Sequence, residues 1–298
     1  MASEGAAPSE VVLDLPPSYP GPHAHLQGSI LFVGNATTVI EHAGFALLTD
    51  PNFLHAGDHA HLGYGLRSKR LKNPALEIQE LPPLDACVLS HLHGDHWDRV
   101  AEAGLPKTLP ILTTQHAARV LRGRGFRNAR GLDTWQRVTL RKGIRWLRVT
   151  SLPAQHGPAL VSKLLPPTMG SMLEWGEGTD EPRFRLWISG DTLVHDRLHE
   201  IPARYPDIPL ALIHLGGTRV LGILVTMDAA QGVEALRIVR PRTAVPIHFD
   251  DYTVFKSPLR DFLVAAEAAG LATRLHVLER GDRFEFEVPT TRGLAAFQ

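Results

Sequence analysis

Residues Leu84–Asp98 read LDACVLSHLHGDHWD, and the change of character halfway along this stretch decides the fold class. Ala86 to Leu89 is a short apolar run of the kind that makes a buried strand. His91, His93, Asp95 and His96 follow at once. A strand therefore delivers the chain to one point, where four metal-type side chains emerge together. Imidazole and carboxylate are good ligands for zinc and similar divalent ions. Gly94 leaves room for the backbone to turn between them. The bland alternative is a polar loop that happens to be rich in histidine. It fits poorly, because unpaired His and Asp crowded after a buried strand would repel or stay badly solvated without a cation.

Working outward, other apolar runs end in residues of the same chemistry. Ile144 to Leu152 leads into Pro153-Ala154-Gln155-His156-Gly157-Pro158, a rigid frame that suits a ligand which must not move. Phe184 to Ser189 leads into Gly190-Asp191-Thr192. A carboxylate there can bridge two cations, or cap a helix over Leu193 to Glu200. Thr243 to Ile247 leads into His248-Phe249-Asp250-Asp251-Tyr252. Ile208 to Ile213 ends in His214, which suits a proton carrier, a group that orients a ligand, or a hydrogen-bonded core histidine. Tyr252 suits either a hydrogen-bond donor to substrate or a packed aromatic. Asp50, after the run Phe45 to Thr49, suits either a carboxylate that orients a ligand His or a turn residue bonded to its own backbone.

The rest of the chain is consistent with one α/β domain. Residues 1–25, rich in Pro, Ser, Ala and Gly, read as an irregular or mobile arm, with His23 and His25 solvated. Residues 26–298 read as the domain. Ser29 to Val33, Thr37 to Glu41 and Phe45 to Thr49 suggest an antiparallel meander. Helices are expected over Trp97 to Ala103, Thr114 to Arg122, Leu193 to Glu200, Asp228 to Val239 and Ser257 to Ala269, the fourth capped by Thr226 or Asp228. Arg274 to Leu278 and Arg283 to Val288 read as closing strands. Asn52 to Pro83 has little periodicity and holds His55, His59, His61, Tyr64, Arg67, Lys69, Arg70 and Lys72. It reads as a flap that contacts a polar substrate, or as a solvated basic loop. Leu160 to Pro167 reads as a second loop over the site.

Composition narrows the classes. The 298 residues carry 31 basic and 31 acidic side chains, which argues against a nucleic-acid binder. The single cysteine, Cys87, excludes an intramolecular disulfide. Sixteen histidines are an excess that fits metal binding. The N-terminal MASEGAAPSE has neither a basic start nor an apolar core segment, and no run approaches a membrane span, so a cytoplasmic protein is expected. A homo-oligomer is compatible with the composition.

His91, His93, Asp95, His96, His156, Asp191 and His248 are too many ligands for one tetrahedral ion. They suit two divalent ions sharing a carboxylate, a centre that makes a hydroxide nucleophile at neutral pH without any Ser or Cys nucleophile. Zinc is the first expectation, and manganese and iron accept the same ligands.

The HLHGDH run, His156, Asp191 in SGDT, and His248 together resemble the metallo-β-lactamase superfamily, over roughly Gly28 to Val288. The resemblance implies a four-layer αβ/βα sandwich with the metals at one edge, between two sheets. It implies one ion on His91, His93 and His156, the other on Asp95, His96 and His248, and Asp191 as the bridge. GNATTVIEHAGFALLTDP followed by LPPLDACVLSHLHGDH resembles the branch with ascorbate-phosphate lactonase and N-acyl phosphatidylethanolamine phospholipase D. That branch cuts lactones or phosphodiesters. The sequence departs from it at Thr226-Met227-Asp228, where relatives often carry a His. The expectation is a metal-dependent hydrolase of a small ester-type substrate, with Asp95, Asp191, His214 and Tyr252 as candidate catalytic residues. The alternative is a metal-stabilised protein of the same fold that binds or regulates without turnover.

Overall fold

Leu47 and Leu48 are neighbours in one strand, yet their side chains enter different cores. Side chains alternate along a strand, so a sheet covered on both sides needs apolar residues at every position. Ala86, Cys87, Val88 and Leu89 repeat the pattern: the first and third join the larger core, the second and fourth the smaller. This is why the run before the histidines is apolar throughout.

The computed structural model describes residues 11–17, 26–63, 65–162 and 164–288. Two seven-stranded sheets face each other. One runs, in spatial order, Val11–Asp14, Arg137–Lys142, Arg145–Leu152, Gly170–Glu177, Phe184–Ile188, Leu210–His214 and Thr243–Ile247. The other runs Arg283–Glu287, Gln27–Gly34, Thr37–His42, Phe45–Thr49, Ala86–Val88, Ile111–Thr114 and Ala129–Leu132. The larger core joins Ile40, Leu47 and Val88 of the second sheet to Leu147, Val149 and Leu173 of the first. It continues to Val233, Leu236 and Phe262 on the helices Ala229–Val239 and Leu259–Ala268. The smaller core packs Val39, Leu48 and Cys87 under Ala101 of the helix Arg99–Gly104 and Ala117 and Leu121 of the helix Gln115–Gly123. The result is the four-layer αβ/βα sandwich.

Each sheet is mixed. Phe45–Thr49, Ala86–Val88, Ile111–Thr114 and Ala129–Leu132 are parallel neighbours, as are Phe184–Ile188, Leu210–His214 and Thr243–Ile247. Parallel strands end on the same side, and ligands in such sheets collect beyond the carboxyl ends. That edge carries the candidate residues.

Several expectations need correction. Val11–Asp14, read as irregular arm, is an edge strand parallel to Arg137–Lys142. His23 and His25 lie outside the described residues. The expected strand Arg274 to Leu278 is absent. A short 3-10 turn covers Ala272–Arg274, and Leu275 makes an isolated bridge to Ala244 before Leu278 turns into the core. The helix expected over Leu193 to Glu200 is a 3-10 turn, Asp196–His199, running into the short helix Glu200–Arg204. Among the described residues no helix is long and apolar enough to cross a membrane.

Candidate metal centre

His91, His93, Asp95 and His96 follow the strand Ala86–Val88, His156 follows Arg145–Leu152, Asp191 follows Phe184–Ile188, and His248 follows Thr243–Ile247. All seven are buried. The structure brings them together at the shared edge in overlapping groups. His91, His93 and His156 form one group, and Asp95, His96 and His248 another; within each, the ligand atoms lie within 4.8 Å of one another. Asp191 stands between the groups. Its Oδ2 lies 3.9 Å from His91 Nε2 and 3.3 Å from His96 Nε2, and its Oδ1 lies 3.6 Å from His248 Nδ1.

Three of the imidazoles are held from behind by an oxygen, as metal-ligating histidines generally are. His91 Nδ1 meets Ser90 Oγ at 3.0 Å, His156 Nδ1 meets the Val225 carbonyl at 2.8 Å, and His248 Nδ1 meets the Leu215 carbonyl at 3.1 Å. The opposite nitrogens then point inward. His91 Nε2 and His156 Nε2 approach His93 Nδ1 at 2.9 and 3.4 Å, and His248 Nε2 lies 3.5 Å from Asp95 Oδ2. His248 takes up a left-handed backbone with φ of 62°, held by its amide donating to the Asn35 carbonyl at 2.8 Å.

Behind the ligands lies a further set of buried groups. Asp50 Oδ1 accepts the Ser90 amide at 2.7 Å, and its Oδ2 lies 3.4 Å from His96 Nδ1 and 3.3 Å from His214 Nε2. Asp50 is therefore the carboxylate behind His96 rather than a cap on its own turn. His214 sits behind Asp50, its Nδ1 3.2 Å from Ser189 Oγ. Thr226 Oγ1 donates to Asp191 Oδ2 at 3.3 Å. Gly190 has φ of 62°, and a Cβ there would come within 2.4 Å of the Met169 carbonyl oxygen, so the turn that presents Asp191 needs glycine.

Electrostatics separates the two groups. Burial holds the His91 imidazole well below its ordinary value, helped by His96 and His93 beside it, and burial brings His93 down to about 4. Burial lowers His156 too. These three rings stand neutral, the form in which imidazole ligates. The carboxylates behave oppositely. Burial works to raise Asp191, but His248 and His96 outweigh it and hold it well below the carboxylate range. Burial also opposes ionisation of Asp50, yet His96 and His214 bring it to about 2. Ionised carboxylates in a dry pocket need positive charge close by.

The donor set fits divalent ions. His96 Nε2, His248 Nε2, Asp95 Oδ1 and Asp191 Oδ1 are buried without a hydrogen-bond partner. Buried polar atoms are rarely left so, and here they belong to residues that crowd one point.

The remaining candidates lie elsewhere. Tyr252 is 1% exposed, its hydroxyl donating to Asn52 Oδ1 at 2.8 Å, with the Arg70 guanidinium beside its ring. Within Asn52 to Pro83 a small hairpin, His59–His61 with Arg67–Lys69, rests on the ligand loop: the Gly94 amide donates to the His61 carbonyl at 2.9 Å. Arg70, grouped with the solvated or substrate-facing cations in the sequence, is fully buried and paired with Asp251 at 3.1 Å. Tyr64 lies outside the described residues. Sequence reasoning missed Ser90 and the Asp191 contact of Thr226. Ser90 had one available signal, its place between the buried run and the first histidine.

The family described as the Beta-lactamase superfamily domain matches residues 34–249. The chain belongs to the metallo-β-lactamase superfamily, and the class that fold and site define is a metal-dependent hydrolase. It is 28% identical over 207 residues to a UPF0173 metal-dependent hydrolase of Archaeoglobus fulgidus, an alignment covering 68% of this chain and 82% of the relative. A UPF0173 metal-dependent hydrolase of Deinococcus radiodurans is 26% identical over 255 residues, covering 85% of this chain and 97% of the relative. Among solved structures, the isothiocyanate hydrolase from Delia radicum gut bacteria superposes with a TM-score of 0.73 at 22% identity, over 87% of this chain and 99% of that one. A likeness at that identity concerns the fold.

Proposed function

We propose that this chain is a dinuclear metallohydrolase that opens an ester-type bond, a lactone or a phosphodiester, in a small-molecule substrate. His91, His93 and His156 would hold one ion, Asp95, His96 and His248 the other, and Asp191 both. Zinc is the first candidate, because the set is rich in imidazole; manganese and iron accept the same donors. The observation that carries the reading is the position of Asp191, whose Oδ2 lies within 4 Å of His91 Nε2 in one group and of His96 Nε2 in the other.

A pair of divalent ions lowers the pKa of water and polarises a carbonyl or phosphoryl oxygen. The protein's own residues do the rest. Asp191 spans the two groups and sets their separation. Asp95 keeps Oδ1 without a partner, so that oxygen would take the proton of the attacking water and pass it to the leaving oxygen as the bond breaks. Asp50 holds His96, and His214 holds Asp50, which makes His214 a positioning residue. Tyr252 orders the Asn52 turn beside the site. The complete ligand set supports turnover over the metal-stabilised binding protein.

The test is metal analysis joined to a hydrolysis screen. About two divalent ions per chain are expected, with chelator-sensitive cleavage of either dihydrocoumarin or bis(p-nitrophenyl) phosphate. Asp191→Asn should remove that cleavage. A single ion per chain, unchanged by added zinc or manganese, would overturn the dinuclear reading. Full metal loading without cleavage of either class would overturn the ester reading.

A further inference from the structure

Asn35 is not among the candidate ligands, yet it bonds to two members of the group formed by Asp95, His96 and His248. It sits in the turn between the strands Gln27–Gly34 and Thr37–His42, with φ of 55°, a left-handed backbone that asparagine adopts more readily than most residues. The segment from His248 to Asp251 wraps around its main chain. The Asn35 carbonyl accepts the His248 amide at 2.8 Å, and the Asn35 amide donates to Asp251 Oδ2 at 2.7 Å. Arg70 and Arg280 hold the other oxygen of Asp251 at 3.1 and 2.9 Å. A Cβ on Gly34 would come within 2.6 Å of Arg280 Nε, so the same arginine lies against the turn itself.

The side chain of Asn35 reaches a different loop. Its Nδ2 donates to the Asp95 carbonyl at 2.5 Å, across 60 residues of sequence. Asn35 is buried, and its Oδ1 has no hydrogen-bond partner among the described residues. Burying an amide with one end unpaired costs stability, so packing alone does not account for an asparagine here. The other group is held by different residues, His91 through Ser90 and His156 through Val225.

We propose that Asn35 is a positioning residue for the group of Asp95, His96 and His248 alone, a clamp that fixes the Asp95 loop against the His248 loop. The proposal rests on the dinuclear reading above and adds the residue that sets the geometry of one of the two ion positions. Backbone bonds tie Asn35 to His248 and Asp251, and the side-chain amide ties that assembly to Asp95. Loss of the amide frees one loop from the other while both backbone bonds remain.

Asn35→Gly tests the role, because glycine keeps the left-handed backbone and removes only the side chain. The parent, Asn35→Gly, His156→Ala and His248→Ala are loaded with cobalt and stripped in competition with a chelator. The two alanine variants each lack one donor of one group, so their visible spectra label which position is filled. Asn35→Gly should keep one ion at parental affinity and hold the other about 10- to 100-fold more weakly. The spectrum of its one-ion form should match that of His248→Ala and differ from that of His156→Ala. Asn35→Asp keeps the shape while its ionised carboxylate has no proton to donate, so it should lose the same ion, and it carries the test if the glycine variant does not fold. Parental retention of both ions, equal weakening of both, or a spectrum that follows His156→Ala overturns the proposal and leaves the dinuclear reading intact. A parent that takes up one ion overturns the dinuclear reading and the site-selective role together.

Discussion

Thr226 Oγ1 donates to Asp191 Oδ2 at 3.3 Å, and both residues are buried. An aspartate that spans two groups of imidazoles must hold one rotamer, and this hydroxyl helps to hold it. Partners behind ligands commonly tune metal affinity by about 10- to 100-fold. Thr226→Val, which keeps the shape and removes the hydroxyl, should therefore weaken metal retention by about tenfold in competition with a chelator. Thr226→Ser should restore it; equal affinity in all three proteins would refute the role. The sequence suggested Thr226 or Asp228 as a helix cap, and Asp228 performs that task by accepting the Gln231 amide at 3.1 Å. Nothing local distinguishes the two, because the partner of Thr226 lies 35 residues away in sequence. Asp50 shows the same limit: its two plausible roles separated only once the strands Phe45–Thr49 and Ala86–Val88 were seen side by side.

At the scale of elements, the ligand loop and the hairpin above it are packed backbone to backbone. A Cβ on Gly94 would come within 2.6 Å of the His61 amide nitrogen and 2.7 Å of its carbonyl oxygen. Gly94→Ala should therefore push the hairpin off the ligand loop at a cost of about 1–3 kcal/mol. Urea denaturation and limited proteolysis within residues 55–69 would measure this, and unaltered stability and cleavage would disprove it. The same hairpin continues into a buried ion pair. Arg70 meets Asp251 at 3.1 Å, with neither side chain exposed, and also donates to the carbonyls of Lys72 at 2.9 Å and Asn52 at 3.2 Å. Asp251 accepts the Asn35 amide at 2.7 Å, and Asn35 holds His248 through its carbonyl. Arg70→Met leaves Asp251 buried with Arg280 as its remaining cation. It should cost about 3–5 kcal/mol, read from the urea midpoint. Arg70 was legible as a cation but not as a buried one, since Arg67, Lys69 and Lys72 surround it in sequence and only the fold separates them.

For the whole molecule, the sheets hold the metal centre as a junction of separate chain segments, so loss of the cations should be felt globally. Ions bound to the native state alone stabilise it by about 3–4 kcal/mol when present at 100 to 1,000 times their dissociation constant. Chelation should lower Tm by an amount on the order of 10 °C. Zinc should reverse the change, and magnesium, which prefers oxygen ligands in an octahedral shell, should not. A Tm indifferent to chelator would show that the cluster is stable without cations.

The sequence by itself determined the superfamily and the class of metal-dependent hydrolase. The runs that precede them are largely buried and mostly apolar, so the His and Asp residues placed just after them stand out, as His91, His93, Asp95, His96, His156, Asp191 and His248 do. Such local contrasts need no knowledge of neighbours. Only the tertiary structure decided which residue stands behind which histidine, that Arg70 is interior, and that Val11–Asp14 joins a sheet. Each of these depends on contacts between residues far apart in the chain, and no local pattern of residue type encodes such a contact. The stretch Leu84–Asp98 presents four metal-type side chains, and the fold brings three more to the same edge from strands that end there.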